Sequence, residues 1–146
     1  MNLNRVTRKV RLDSRFTAVR YQLITELVFL RKQSIIDTDL TYLTLLGTWG
    51  PTALKDFCNR AVRYVFGYED LDNYPVRVQA VRNRLNLLEK RGFIVKEGKS
   101  KKVIKIAPGI PVETSGNILL EYSFIYVEAK ETKESTPAVS SGVGVN

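Results

Sequence analysis

The side chains in this chain with the clearest chemistry are those that read nucleic acid. Gln79, Asn83 and Asn86 are spaced so that one helix would gather them on its outer side, with Arg82 at one flank and Arg77 at the other. Glutamine and asparagine can pair bidentately with adenine, and arginine with guanine, on base edges in the major groove. These five residues are the candidate base-facing set. The candidate phosphate-facing set is Arg84, at the edge of the same helix; Lys99, Lys101 and Lys102, in a run of their own; and Arg5, Arg8 and Lys9, near the start. Contacts of that second kind set affinity and register, and carry no sequence information.

Other chemistry is poorly supplied. The chain has no histidine and one cysteine, Cys58. The commonest general base, the commonest zinc ligand and every Ser-His or Cys-His nucleophile are therefore missing. The acids are scattered, and the one local cluster, Glu69-Asp70-Leu71-Asp72, reads as a polar loop. No catalytic residue, metal ligand or cofactor is expected, and no small-molecule pocket is evident. Cys58 falls on an apolar helix face and reads as a core residue. A lone cysteine fits a reducing compartment. The first residues lack the apolar core and cleavage site of a secretory signal, and no apolar run approaches the ~20 residues of a membrane span. The expectation is a cytoplasmic protein, without a membrane partner.

The formal net charge is +8, and its placement says more than its size. Residues 75–106 hold ten bases and two acids, so this stretch alone carries an excess equal to that of the whole chain. A second basic cluster, Arg5, Arg8, Lys9 and Arg11, is balanced by acids elsewhere. Such concentration is the electrostatic footprint of a protein that meets a phosphate backbone.

The elements that must position these residues follow from periodicity. Residues 1–14 form a basic arm in which Val6, Val10 and Leu12 alternate with polar positions, as in a short strand or an extended segment. Asp13-Ser14 offers an N-cap, and Phe16, Val19, Leu23, Ile24, Leu27, Val28 and Leu30 repeat at helical spacing to about residue 33. A second helix runs through Leu40, Leu43, Leu45 and Leu46 and is stopped by Gly47. Pro51 opens a third, which buries Ala53, Leu54, Phe57, Cys58, Ala61, Val62, Val65 and Phe66 and ends at Gly67. After a polar loop over 68–74, Pro75 opens a fourth helix over 75–91, with Val78, Val81, Leu85 and Leu88 on its inner stripe. The period then shortens to two. Residues 93–97 and 102–106 read as a hairpin with a basic tip, and 118–127 as a further strand. From 128 to 146 no period survives, which predicts a flexible tail. The fold class is α+β.

Helix, turn, helix, loop, helix and basic hairpin is the order of a winged helix-turn-helix. Leu85-x-x-Leu88-Glu89-Lys90-Arg91-Gly92-Phe93-Ile94, followed by the hairpin, resembles the end of the recognition helix and the wing of MarR-type proteins. Asp39-Leu40-Thr41-Tyr42-Leu43-Thr44-Leu45-Leu46 resembles the helix that opens that domain. The resemblance covers about residues 37–108. It implies a winged-helix fold there, and with the extra N-terminal helix and the C-terminal strand read from periodicity the domain is expected over 15–127. Two features depart from the family: its terminal dimerisation helices have no counterpart in 118–127, and the tip reads Glu97-Gly98-Lys99-Ser100-Lys101-Lys102 in place of an acidic-x-arginine pattern.

Two functions are compatible with this reading. The first is a non-enzymatic protein that binds double-stranded DNA through the 75–91 helix and the wing. The second is a structural ring or adaptor of a bacteriophage virion or other nucleoprotein assembly. There, copies of the chain pack together, and the protein would reside in the particle. The strand at 118–127 and the extended termini are suited to pairing with neighbours.

Overall fold

A computed structural model of the chain describes residues 2–12, 14–67, 72–112 and 118–128. The expected tail from 129 onward, the cap at Asp13 and the loop residues 68–71 lie outside the described residues. The chain is mixed α+β and divides into two compact units, one of Met1–Val10 with Leu119–Asn146, the other Arg11–Ile118.

In the larger unit, α1 (Arg15–Leu23) opens at Ser14, whose hydroxyl accepts from the Thr17 N–H at 3.4 Å. It buries Ala18, Val19 and Leu23, then widens into a π-helical segment, Ile24–Leu30. The expected stripe assumed 3.6 residues per turn throughout. The wider turn changes the phase, so Leu27 is buried whereas Leu30, assigned to the stripe, is exposed. Lys32 then adopts a left-handed conformation (φ 55°), and the Gln33 N–H closes the end on the Leu27 carbonyl at 2.8 Å.

Helix α2 (Asp37–Trp49) is buried on most of its circumference, through Leu40, Tyr42, Leu43, Thr44, Leu45 and Leu46. The Thr44 hydroxyl donates to the Leu40 carbonyl at 2.6 Å, so its burial leaves no orphaned polar atom. The helix does not stop at Gly47. That residue lies inside it, where a Cβ would come within 2.7 Å of Val19 Cγ1 and 3.1 Å of Val112 Cγ1. Glycine serves there for close approach between α1 and α2, and the stop is Gly50, at φ 81°.

Pro51 does not open the next helix. Thr52–Ala53 forms a short strand, β2, and α3 (Leu54–Phe66) follows. The inward set of α3 is Phe57, Cys58, Ala61 and Val62; Val65 and Phe66, expected to be buried, are more than two-fifths exposed. Helix α4 (Tyr74–Lys90) has proline in its first turn and buries Val81, Leu85 and Leu88, with Val78 packed at the core's edge. The Tyr74 hydroxyl donates to Asn59 Oδ1 of α3 at 2.6 Å.

Strands β3 (Ile94–Glu97) and β4 (Val103–Ile106) pair antiparallel, Ile94 opposite Ile106 and Glu97 opposite Val103. β2 adds antiparallel to the other edge of β4, giving the order β2-β4-β3. The Leu54 N–H, donating to the Lys102 carbonyl at 2.7 Å, ties the start of α3 to the hairpin.

The smaller unit holds all but the Arg11, Leu12 and Ile118 ends of a two-stranded sheet of β1 (Asn2–Leu12) and β5 (Ile118–Glu128). The Thr7 and Ser123 hydroxyls hydrogen-bond at 3.0 Å, which sets them side by side on one face. The N-terminal arm is thus a strand. The strand at 118–127, expected to extend the larger domain, pairs with it instead. No helix among the described residues is long and apolar enough to cross a membrane.

Candidate nucleic-acid interface

Because Val81, Leu85 and Leu88 fix the inner side of α4, the 100° step per residue fixes its outer side. Gln79, Asn83 and Asn86 are all exposed there. Gln79 Nε2 donates to Asn83 Oδ1 at 2.8 Å, an i,i+4 contact that holds both amides along the helix surface. The bond uses the Gln79 NH₂ and the Asn83 carbonyl, so the Asn83 NH₂ donors and the Gln79 carbonyl take no part in it. Sequence reasoning missed two neighbours on this surface, Val76 and Leu87. They are apolar yet 69% and 43% exposed, and suited to contact with a thymine methyl. Their signal was available: both fall on the polar side of the helix that the inner stripe defines.

The arginines behave differently. Arg82 is half-buried and close enough to Cys58 to act on its thiol. The Arg77 guanidinium stands 3.9 Å over the Phe66 ring, pinning the start of α4 to the end of α3. Arg84, expected at a phosphate, donates from Nε and Nη2 to the two carboxylate oxygens of Asp39, at 2.9 and 2.5 Å. Asp39 is buried, and this bidentate bond raises the Arg84 pKa above its ordinary value. Arg84 is therefore a structural partner of α2 whose charge is already engaged. Arg91 is likewise occupied, donating to the Ser34 carbonyl at 2.8 Å and lying 4.8 Å over Phe93.

The hairpin carries the other half of the surface. Gly98 (φ 91°) and Lys101 (φ 54°) turn the chain between β3 and β4. Lys99, Lys101 and Lys102 are exposed at that tip. Along the strands the bases are offset: Lys96 pairs with Glu89 at 3.4 Å, and Lys105 with Glu97 at 3.0 Å. The available charge of the hairpin is thus concentrated in its turn. Arg5, Arg8 and Lys9 are exposed on β1, in the other unit.

Burial raises the Cys58 thiol above its ordinary value, with Arg82 opposing in part, and raises Tyr42 through burial first and the nearby Asp39 second. Neither group is poised for proton transfer at neutral pH. Among the described residues no group of three or more His, Cys, Asp or Glu side chains is placed to hold a metal ion. No protein-family model, curated protein or solved structure matches the chain.

Proposed function

We propose that the Arg11–Ile118 unit is a winged-helix module that binds double-stranded DNA without catalysing a reaction. In this reading α2, α3 and α4 are the three helices of the module, α4 is its recognition helix, and the β3–β4 hairpin is its wing. The order α2-β2-α3-α4-β3-β4, with the antiparallel sheet β2-β4-β3, supports it. The observation that carries the reading is the exposed line Gln79, Asn83 and Asn86, in one unit with a hairpin turn that presents three lysines. A helix fits the width of the major groove, and its outer amides then meet base edges while the wing lysines meet phosphates.

The test is duplex binding as a function of salt. Lys99, Lys101 and Lys102, with Lys90 and about two further bases, would make about six phosphate contacts. Affinity should then fall on the order of a thousandfold between about 50 and 200 mM salt. Failure to bind at low salt, or binding indifferent to salt, rules the reading out.

A further inference from the structure

The β1–β5 ribbon is built unlike a finished sheet. Each strand has one neighbour, so among the described residues each keeps an edge of backbone N–H and C=O groups with no strand against it. Both strands are 11 residues long, about twice the usual strand length, and neither contains a proline to blunt the edge. A two-stranded ribbon is at best marginal in water, because too little apolar surface is covered. Here the deficit is visible: Leu119, Phe124, Ile125, Tyr126 and Val127 of β5 are all about half-exposed. They belong to types that pack well once a pleated surface is covered.

Charge decides which strand can pair with the open edges. β1 carries Arg5, Arg8, Lys9 and Arg11 and no acid, whereas β5 carries Glu121 and Glu128 and no base. Pairing two β1 edges would set four bases against four. Pairing a β1 edge with a β5 edge brings opposite signs together, and it repeats the pairing chemistry already present within the chain.

We propose that the ribbon is a self-assembly element: the free β5 edge of one copy receives the free β1 edge of the next. Ribbons of successive copies then form one sheet of order β1-β5-β1-β5. Because the two edges differ, the contact is heterologous. Each copy uses one edge of each kind, and assembly runs on to a ring or a filament instead of stopping at a dimer. This inference does not depend on whether the larger unit reads DNA.

Sedimentation of the full chain over a range of concentration and salt tests it. Species larger than dimers should grow with concentration and weaken as salt screens the edge charges. Glu121→Lys with Ile125→Lys makes the β5 edge basic, and should raise the concentration needed for assembly by about tenfold or more. Those changes could also loosen the pairing within the chain, so they are made in a Thr7→Cys, Ser123→Cys background. The adjacent hydroxyls at 3.0 Å place these positions within reach of a disulfide that locks the ribbon. The locked chain should assemble like the parent and run as a monomer on a denaturing, non-reducing gel. A parent chain that stays monomeric to about 1 mM, or that stops at dimers, overturns the proposal. So do unchanged multimers after the charge reversal, or covalently linked copies from the locked variant, which would mean that strands are exchanged between chains.

Discussion

Arg84 of α4 grips Asp39 of α2 through two parallel hydrogen bonds, across 45 residues of chain. The carboxylate side is sealed, at 2% exposure, while the guanidinium side remains 37% open to solvent. The contact ties α4 to α2 beside the buried Val81, Leu85 and Leu88 stripe that sets which residues its outer side presents. Removing Arg84 would leave a buried, uncompensated carboxylate. Fully buried pairs broken in this way cost about 3–5 kcal/mol. With Arg84 partly solvated, Arg84→Ala should cost about 2–3 kcal/mol in chemical denaturation. Arg84→Lys should recover only part of it, since an ammonium cannot engage both oxygens in a fork. A stability equal to the parent's would mean that Arg84 is not committed to Asp39, and would return it to the phosphate-facing set.

Gly47 is predicted to tolerate no side chain. Alanine gains about 1 kcal/mol of helix propensity over glycine. Its methyl, however, would meet Val19 at 2.7 Å, and Val19 is β-branched with little freedom to turn aside. Overpacking of this kind costs about 1–3 kcal/mol. The overpacking outweighs the propensity gain, so Gly47→Ala should lower stability by up to about 2 kcal/mol, measured by urea unfolding. Adding Val19→Ala should restore part of that loss, so the two changes will not be additive. Independent effects of the two substitutions would refute the contact.

The helix phase of α4 and the hairpin were legible in the sequence because both are local. Val81, Leu85 and Leu88 repeat at the helical period, and the pattern breaks at Gly92, which takes φ 85°. From that stripe alone, Gln79, Asn83 and Asn86 could be placed outward, and the structure places them so. What was illegible depends on distant partners. Nothing near Gly47 in sequence shows that Val19 and Val112 close on it, so a glycine after an apolar run reads as a stop. Nothing near Arg84, Arg77 or Arg91 announces Asp39, Phe66 or Ser34, so each reads as a free cation. The pairing of residues 118–128 with the N-terminal strand is invisible for the same reason.

Burial of Cys58 and Tyr42 sets an alkaline limit to stability. Both are acids whose folded pKa lies above its unfolded value, so on raising the pH the unfolded chain loses these protons first. The stabilisation is intact below the unfolded values and is lost as pH climbs through the folded ones. Melting temperature should begin to fall above about pH 8.5, the ordinary thiol value. Cys58→Val should flatten the first part of the decline, and Tyr42→Phe the later part. At neutral pH a thiol reagent should label Cys58 slowly until denaturant is added. Rapid labelling of the native protein at pH 7 contradicts the buried position.

The two halves of the α4–hairpin surface should respond differently to substitution. On the proposed reading, Lys99→Ala, Lys101→Ala and Lys102→Ala together remove contacts to phosphates, which are alike in every sequence. Binding should weaken evenly across duplexes, and the salt slope should shrink by about three. On the same reading, Asn83→Ala and Asn86→Ala remove base contacts, and should cost about 1–3 kcal/mol each at a preferred site and little elsewhere. Asn83→Ala should show the larger effect, because it also releases the Gln79 amide from the 2.8 Å bond that aligns it. Neither asparagine is buried, so folding stability should stay within about 0.5 kcal/mol of the parent. The measurement is titration against a panel of duplexes selected by the parent protein. If the triple lysine variant loses affinity while the asparagine variants bind every duplex as before, the tip holds DNA but α4 does not read it. The protein would then bind the double helix by charge alone, and the outer amides of α4 would be solvated surface.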